Sequence, residues 1–303
     1  MHVLNVLFLT AAVAHAAVSQ EEIESVRSLL HERKLVEAES AASALVAANP
    51  AWAEAHALLG GVRVARGDAG GAVKACEKAV ELAPKDSEFQ RQLGDAYGLA
   101  GGKAGLLSKM KWGKKCLVAY ETAVALDPAN LAARSSLASV YQMAPGVMGG
   151  GMDKAYAQAA AIKKLDADRG RLAYALLYVG EKKYAEAFAE IEVVLKAAPD
   201  HYAALFQFGR TAALSGDLLD RGMEALKKCL VLPPTPGSPG HDAAHWRLGV
   251  IWEKKGDKLE LRYGGKAYRL LNLFFNPHMP EMADYYGGDV YTFTYDDLHT
   301  REQ

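Results

Sequence analysis

Two stretches of the chain, AEAHALLGGVRVARGDAGGAVKACEKAVELAP at 53–84 and AALFQFGRTAALSGDLLDRGMEALKKCLVLPP at 203–234, are written on one plan. In each, a large apolar residue and a glycine (Leu59-Gly60, Phe208-Gly209) precede a Gly-Asp pair seven residues later (Gly67-Asp68, Gly216-Asp217). A small residue follows, then a helix-periodic apolar run that closes on Pro84 or Pro234. A unit of roughly 34 residues cannot bury its apolar face alone, so it must stack against copies of itself. Glycines such as Gly60, Gly94 and Gly209 let two helices approach closely, as do Ala72 and Ala79 on the second helix. Each proline ends a helix, because it lacks an N–H and its ring clashes with the preceding turn.

The pattern resembles the tetratricopeptide repeat, a helix–turn–helix unit, here with helices A and B. About seven units follow one another. Ala38 and Pro50 mark a degenerate first unit, and 53–84 is the second. Leu93-Gly94, Tyr97, Tyr120, Ala123 and Pro128 mark the third; Leu137, Tyr141, Ala155 and Asp166-Ala167 mark the fourth. Tyr178, Ala187 and Pro199 mark the fifth, and the sixth runs from Tyr202 to Pro234. Trp246, Leu248-Gly249, Trp252 and Gly256-Asp257 open a seventh. The expected fold is therefore an all-α tetratricopeptide-type solenoid over 17–258, some of its repeats degenerate.

Two consecutive units depart from the 34-residue period. The third is ten residues too long and the fourth five, both between helices A and B. The first excess is the stretch AGLLSKMKWGKKC, with no Asp or Glu between Asp95 and Glu121; the second is APGVMGGGM. Insertions at equivalent turns of a solenoid project from one edge, so these two should be neighbours. Asp153 reads as the N-cap of the helix after the glycine loop.

The features KKC…AYETAVALDPAN…VYQMAPGVMGGGMDKA and RGMEALKKCLVLPPTPGSPGHDAAHWRLGVIWEKKGD look like a family of exported bacterial tetratricopeptide-repeat proteins with no assigned activity. The resemblance implies a periplasmic or secreted setting and no catalytic residues. The first residues agree with it: Val3 to Val13 is an apolar run too short to span a bilayer, and Ala14-His15-Ala16 fits a small-x-small cleavage site, giving a signal peptide over 1–16. Cys76, Cys116 and Cys229 each fall in a helix-periodic segment, which suits small buried side chains rather than a disulfide framework. The chain departs from the repeat at its end. Residues 263–303 hold nine of its 26 Phe, Trp and Tyr residues, and 259–303 is expected to form a capping helix reaching Phe275 and then an irregular aromatic and acidic tail.

A formal charge of −1 argues against a general nucleic-acid binder. No G-x-S-x-G, H-E-x-x-H or P-loop order is present. His241 and His245 stand one turn apart, yet no third ligand lies near, so no metal site, cofactor or enzymatic role is expected. Tetratricopeptide units are expected to bind along a concave face of helices A. Spacing nominates Glu54, Arg91, Asp95, Ser135, Ser139, Gln142, Phe206 and Arg210 there, a mixture of charge, amide and aromatic suited to an extended peptide. The expectation is thus a scaffold for a protein or peptide partner. The alternative is a cell-envelope module that holds an anionic lipid or glycan through Lys109, Lys111, Trp112 and Lys115.

Overall fold

The computed structural model describes residues 21–235, 237–255, 260–263 and 266–269. The signal-peptide expectation over 1–16, the capping helix to Phe275 and the aromatic tail lie outside the described residues.

Among the described residues, thirteen α-helices follow in A/B order. Helix α1 (21–31) pairs with α2 (Leu35–Ala48), α3 (Ala53–Arg66) with α4 (Ala69–Leu82), and α5 (Ser87–Lys103) with α6 (Leu106–Leu126). Then come α7 (Leu131–Met143) with α8 (Met152–Leu165), α9 (Ala167–Gly180) with α10 (Tyr184–Ala197), and α11 (Tyr202–Ser215) with α12 (Leu219–Val231). Helix α13 (His241–Lys255) opens the seventh repeat. Two compact units divide the chain, Met1–Val194 and Leu195–Gln303.

The Gly-Asp signature is a turn with a mechanism. Gly67 takes the left-handed conformation (φ 74°) that ends α3, and the Asp68 carboxylate accepts the Gly71 amide at 3.0 Å to start α4. Asp86, Asn130 and Asp166 cap α5, α7 and α9 in the same way. In the first unit consecutive helices pack from α2 to α9, and helices A also touch each other, α3 on α5, α5 on α7 and α7 on α9. In the second, α11, α12 and α13 pack mutually.

The ten extra residues of the third repeat do not form a loop. Relative to α3 and α4, helix α5 is longer by three residues and α6 by seven, leaving only Ala104 and Gly105 between them. Leu, Lys and Met are good helix formers and no proline interrupts them, so the insertion is spent on helical turns. The packing register survives it. A Cβ on Gly60 would meet Cys76 Sγ at 2.3 Å, one on Gly94 would meet Tyr120 at 2.5 Å, and one on Gly209 would meet Leu226 at 2.3 Å. The sequence offset is 16 residues in the second repeat and 26 in the third, so the ten additional residues lie wholly above the contact.

The fourth repeat does carry a loop, 144–151, with a short 3-10 turn at Gly146–Met148. It packs on α6: Met148 Cε lies 2.9 Å from where a Gly113 Cβ would be, and Leu117 3.0 Å from that of Gly149. The two insertions are therefore neighbours. Helix α8 is capped by Gly151, not Asp153, because the Gly151 amide is drawn back to the Tyr141 carbonyl at 2.8 Å; Asp153 lies in the first turn instead.

After α13 the described residues are 260–263 and 266–269. Glu260–Tyr263 pairs antiparallel with Lys266–Arg269, Tyr263 opposite Lys266. Only Gly264 and Gly265 separate the strands in sequence, a pair suited to a two-residue hairpin.

Candidate interaction faces on helices A

Helix α5 holds a connected polar group. Arg91 donates from Nε and Nη2 to the two oxygens of Glu88, at 2.8 and 2.6 Å, and from Nη1 to Asp95 Oδ2 at 2.6 Å. Asp95 Oδ1 accepts from the Tyr120 hydroxyl at 2.6 Å. Hydrogen bonding to Glu88 raises the Arg91 guanidinium further above its ordinary range, and burial with the Asp95 charge raises the Tyr120 phenol. Both groups thus stay protonated across the accessible pH range, and Arg91 and Asp95 are held in fixed orientation.

Helix α7 packs beside α5 and repeats the positions. Ser135 and Ser139 stand 44 residues after Arg91 and Asp95, the distance between Pro84 and Pro128. Both serines are exposed, and their hydroxyls donate to the carbonyls one turn back, Leu131 and Ser135, leaving oxygen lone pairs toward solvent. Gln142 is not available in the same way. Its amide donates to the Leu177 carbonyl at 3.0 Å and fills the space over Gly180, so it tethers α7 to α9. Glu54 is engaged with Arg27 at 3.1 Å.

The second unit holds the other two nominated residues. Phe206 is 6 % exposed, so it packs inside rather than lining an open face; the sequence pattern could not tell which side of α11 was covered. Arg210 is half-buried on the same helix and has no hydrogen bond or ion pair among the described residues.

The lysine set divides. On a helix successive residues turn by about 100°, which spreads lysines at 109, 111, 114 and 115 over several faces. Lys115 turns inward, over the Tyr97 and Trp112 rings at 4.7 and 5.2 Å and toward Glu77 at 3.3 Å. Lys109, Lys111 and Lys114 are exposed. Trp112 packs on Tyr97, centroids 5.6 Å apart, and walls a 350 Å³ depression with Val73, Ala100 and Lys103. Four backbone donors of the neighbouring glycine loop are already committed. The amides of Met148, Gly149, Gly150 and Gly151 all donate to carbonyls of the loop or of α7.

One recurrent contact escaped the sequence reading. Tyr97 donates to Glu77 at 2.7 Å, and Tyr141 to Glu121 at 2.8 Å, each pair 20 residues apart and joining a helix B to the next helix A. The Glu-to-Tyr interval was the available signal. Arg247 was also missed; it lies on α13 beside Trp246, with the ring 4.1 Å from its guanidinium carbon.

Among solved structures, the chain is similar to a thermophilic TPR protein of Thermus thermophilus, with 19% identity and a TM-score of 0.53 over 70% of this chain and 100% of the other. A tetratricopeptide repeat protein from Parabacteroides merdae matches at 17% identity and a TM-score of 0.52, covering 79% of this chain and 88% of that one. The fold is the tetratricopeptide-repeat fold. No family model and no curated protein sequence matches the chain. Among the described residues no helix is long and apolar enough to cross a membrane, and no group of three or more His, Cys, Asp or Glu side chains is placed to hold a metal ion.

Proposed function

We propose that this tetratricopeptide-repeat chain is a non-catalytic scaffold that takes an extended segment of a partner protein across the helix A faces of its first unit. The observation that carries the reading is the equivalence of Arg91 and Asp95 on α5 with Ser135 and Ser139 on the adjacent α7. Packed helices lie about 8–10 Å apart. An extended chain rises about 3.3 Å per residue, so three residues of a bound segment span one interval. Fixed polar groups repeating at that distance can meet backbone carbonyls and amides in turn. Because Arg91 and Asp95 are already held by Glu88 and Tyr120, binding needs no ordering of those two side chains.

The anionic-lipid or glycan reading has less support. Lys115 is spent on Glu77, and the loop beside the lysines has committed the amides of Met148, Gly149, Gly150 and Gly151. The export expectation stays with the residues 1–16 and is tested by the N-terminal sequence of the protein recovered from the cell envelope.

Photo-crosslinking tests the scaffold reading. A photoreactive residue at Ser135 or Ser139 should capture one partner, whereas one at exposed Val118 on α6 should not. Capture that is equal at Val118, or unaffected by Ser139→Tyr, would overturn the assignment of the face.

A further inference from the structure

Among the described residues, the only buried side-chain N–H groups without a hydrogen-bond partner belong to two arginines of the second unit, Arg210 Nη1 and Arg247 Nε. They stand on α11 and α13, which pack against each other, and the Arg210 charge acts on the Arg247 guanidinium. Neither is ion-paired to a described carboxylate. The sequence explains why: 201–216 contains no Asp or Glu, and Asp242 is the single acid between Glu224 and Glu253. Asp242 is already engaged elsewhere. Burial holds the Arg210 guanidinium below the usual arginine range; Arg247 is lowered by burial and then by the Arg210 charge. Both remain cationic at neutral pH, so two like charges stand on adjoining helices, partly removed from water and without a partner among the described residues. Trp246, 42 % exposed, stacks on Arg247 and fixes the plane of its guanidinium.

We propose that Arg210 and Arg247 form a binding site for a phosphoryl dianion held between the two guanidinium groups. Charge and shape select this ligand. A single carboxylate pairs bidentately with one guanidinium and leaves the second uncompensated. A phosphoryl group carries close to two charges and directs three terminal oxygens away from one centre, so it can accept from two arginines at once. The site lies in the second unit and does not depend on the α5–α7 face: its failure would leave crosslinking from Ser135 and Ser139 unchanged.

The test uses the full chain, with inorganic phosphate as the probe and sodium chloride and sodium acetate at matched ionic strength as references. Phosphate at tenfold excess over its dissociation constant should raise the melting temperature by about 3 °C. Binding should also change the Trp246 fluorescence, and W246F should remove that change while keeping the thermal shift. Arg210→Gln and Arg247→Gln should each abolish the shift. Without phosphate both variants should melt at or above the wild-type temperature, since each removes an uncompensated charge. A phosphoserine peptide that binds more tightly than inorganic phosphate assigns the site to modified proteins; the reverse order assigns it to free phosphate. The proposal is overturned if phosphate shifts the R210Q/R247Q double variant as much as the wild type, or if acetate matches phosphate. It is equally overturned if either single variant melts well below the wild type in chloride, which would show that its arginine already has a partner.

Discussion

The glycines at helix crossings divide into two kinds. Gly94 lies against the Tyr120 ring, while at Gly61 an added Cβ would have no atom within 4 Å. Gly94→Ala should therefore cost about 1–3 kcal/mol through overpacking. Gly61→Ala should add roughly 0.5–1 kcal/mol, because alanine is the better helix former and meets nothing. Urea melts of the two variants read the contrast directly, and a loss at both positions would discredit the packing register. The three thiols give a pH prediction. Burial, above all, pushes Cys76 and Cys229 from 9.0 up to about 12, and Cys116 to about 11. The folded state thus retains these protons after the unfolded chain has lost them. Stability is fully present below pH 9 and declines as pH rises from there toward 11 and 12. Urea midpoints at pH 8 and above 10 should show the decline, and a Cys76→Ala variant should show less of it.

At the scale of elements, helix ends were legible where proline and Gly-Asp pairs mark them, while the Asn and Asp caps, apart from the misplaced Asp153, were not read. Pro84, Gly67 and Asn130 each act within a few residues of themselves. The long third repeat was located correctly between its helices, yet which helix takes the added residues was not legible: three extend α5, whereas seven extend α6. Deciding between them depends on Trp112 finding Tyr97, a contact 15 residues back that no local rule supplies. The site was harder still. Arg91 and Asp95 were found from spacing, but the Tyr120 hydroxyl that fixes Asp95 comes from another helix. Phe206 and Gln142 were nominated by the same spacing, and only packing shows that both are occupied inside. The helical extension leads to a deletion test. Removing residues 101–110 restores a 34-residue repeat, with Lys111 and Trp112 as the turn. The variant should fold with its far-ultraviolet circular dichroism per residue unchanged, and Gly94 should still pack on Tyr120. Loss of a cooperative melt would show that the extra turns are needed for folding.

Among the described residues the helices of each unit pack on near neighbours in sequence, so stability should behave as a sum of local terms. Ile251 is fully buried on α13, and Ile251→Ala should cost about 2–5 kcal/mol at that place. Hydrogen exchange should then show faster amides in α11, α12 and α13 with α3 to α6 unaltered. Uniform deprotection along the chain would mean that the two units unfold as one.

The loop at 144–151 combines a closed base with an open tip. Its base is closed by the chain's own hydrogen bonds, from Gly150 to Pro145 and from Gly151 to Tyr141, while Val147 at its tip is 88 % exposed. A fixed base under an unconstrained tip is the arrangement that antibody loops use to vary recognition on a constant frame. Replacing Val147, alone or with residues inserted beside it, would leave α7 and α8 where they are, so this chain carries a natural position at which new binding specificity can be selected.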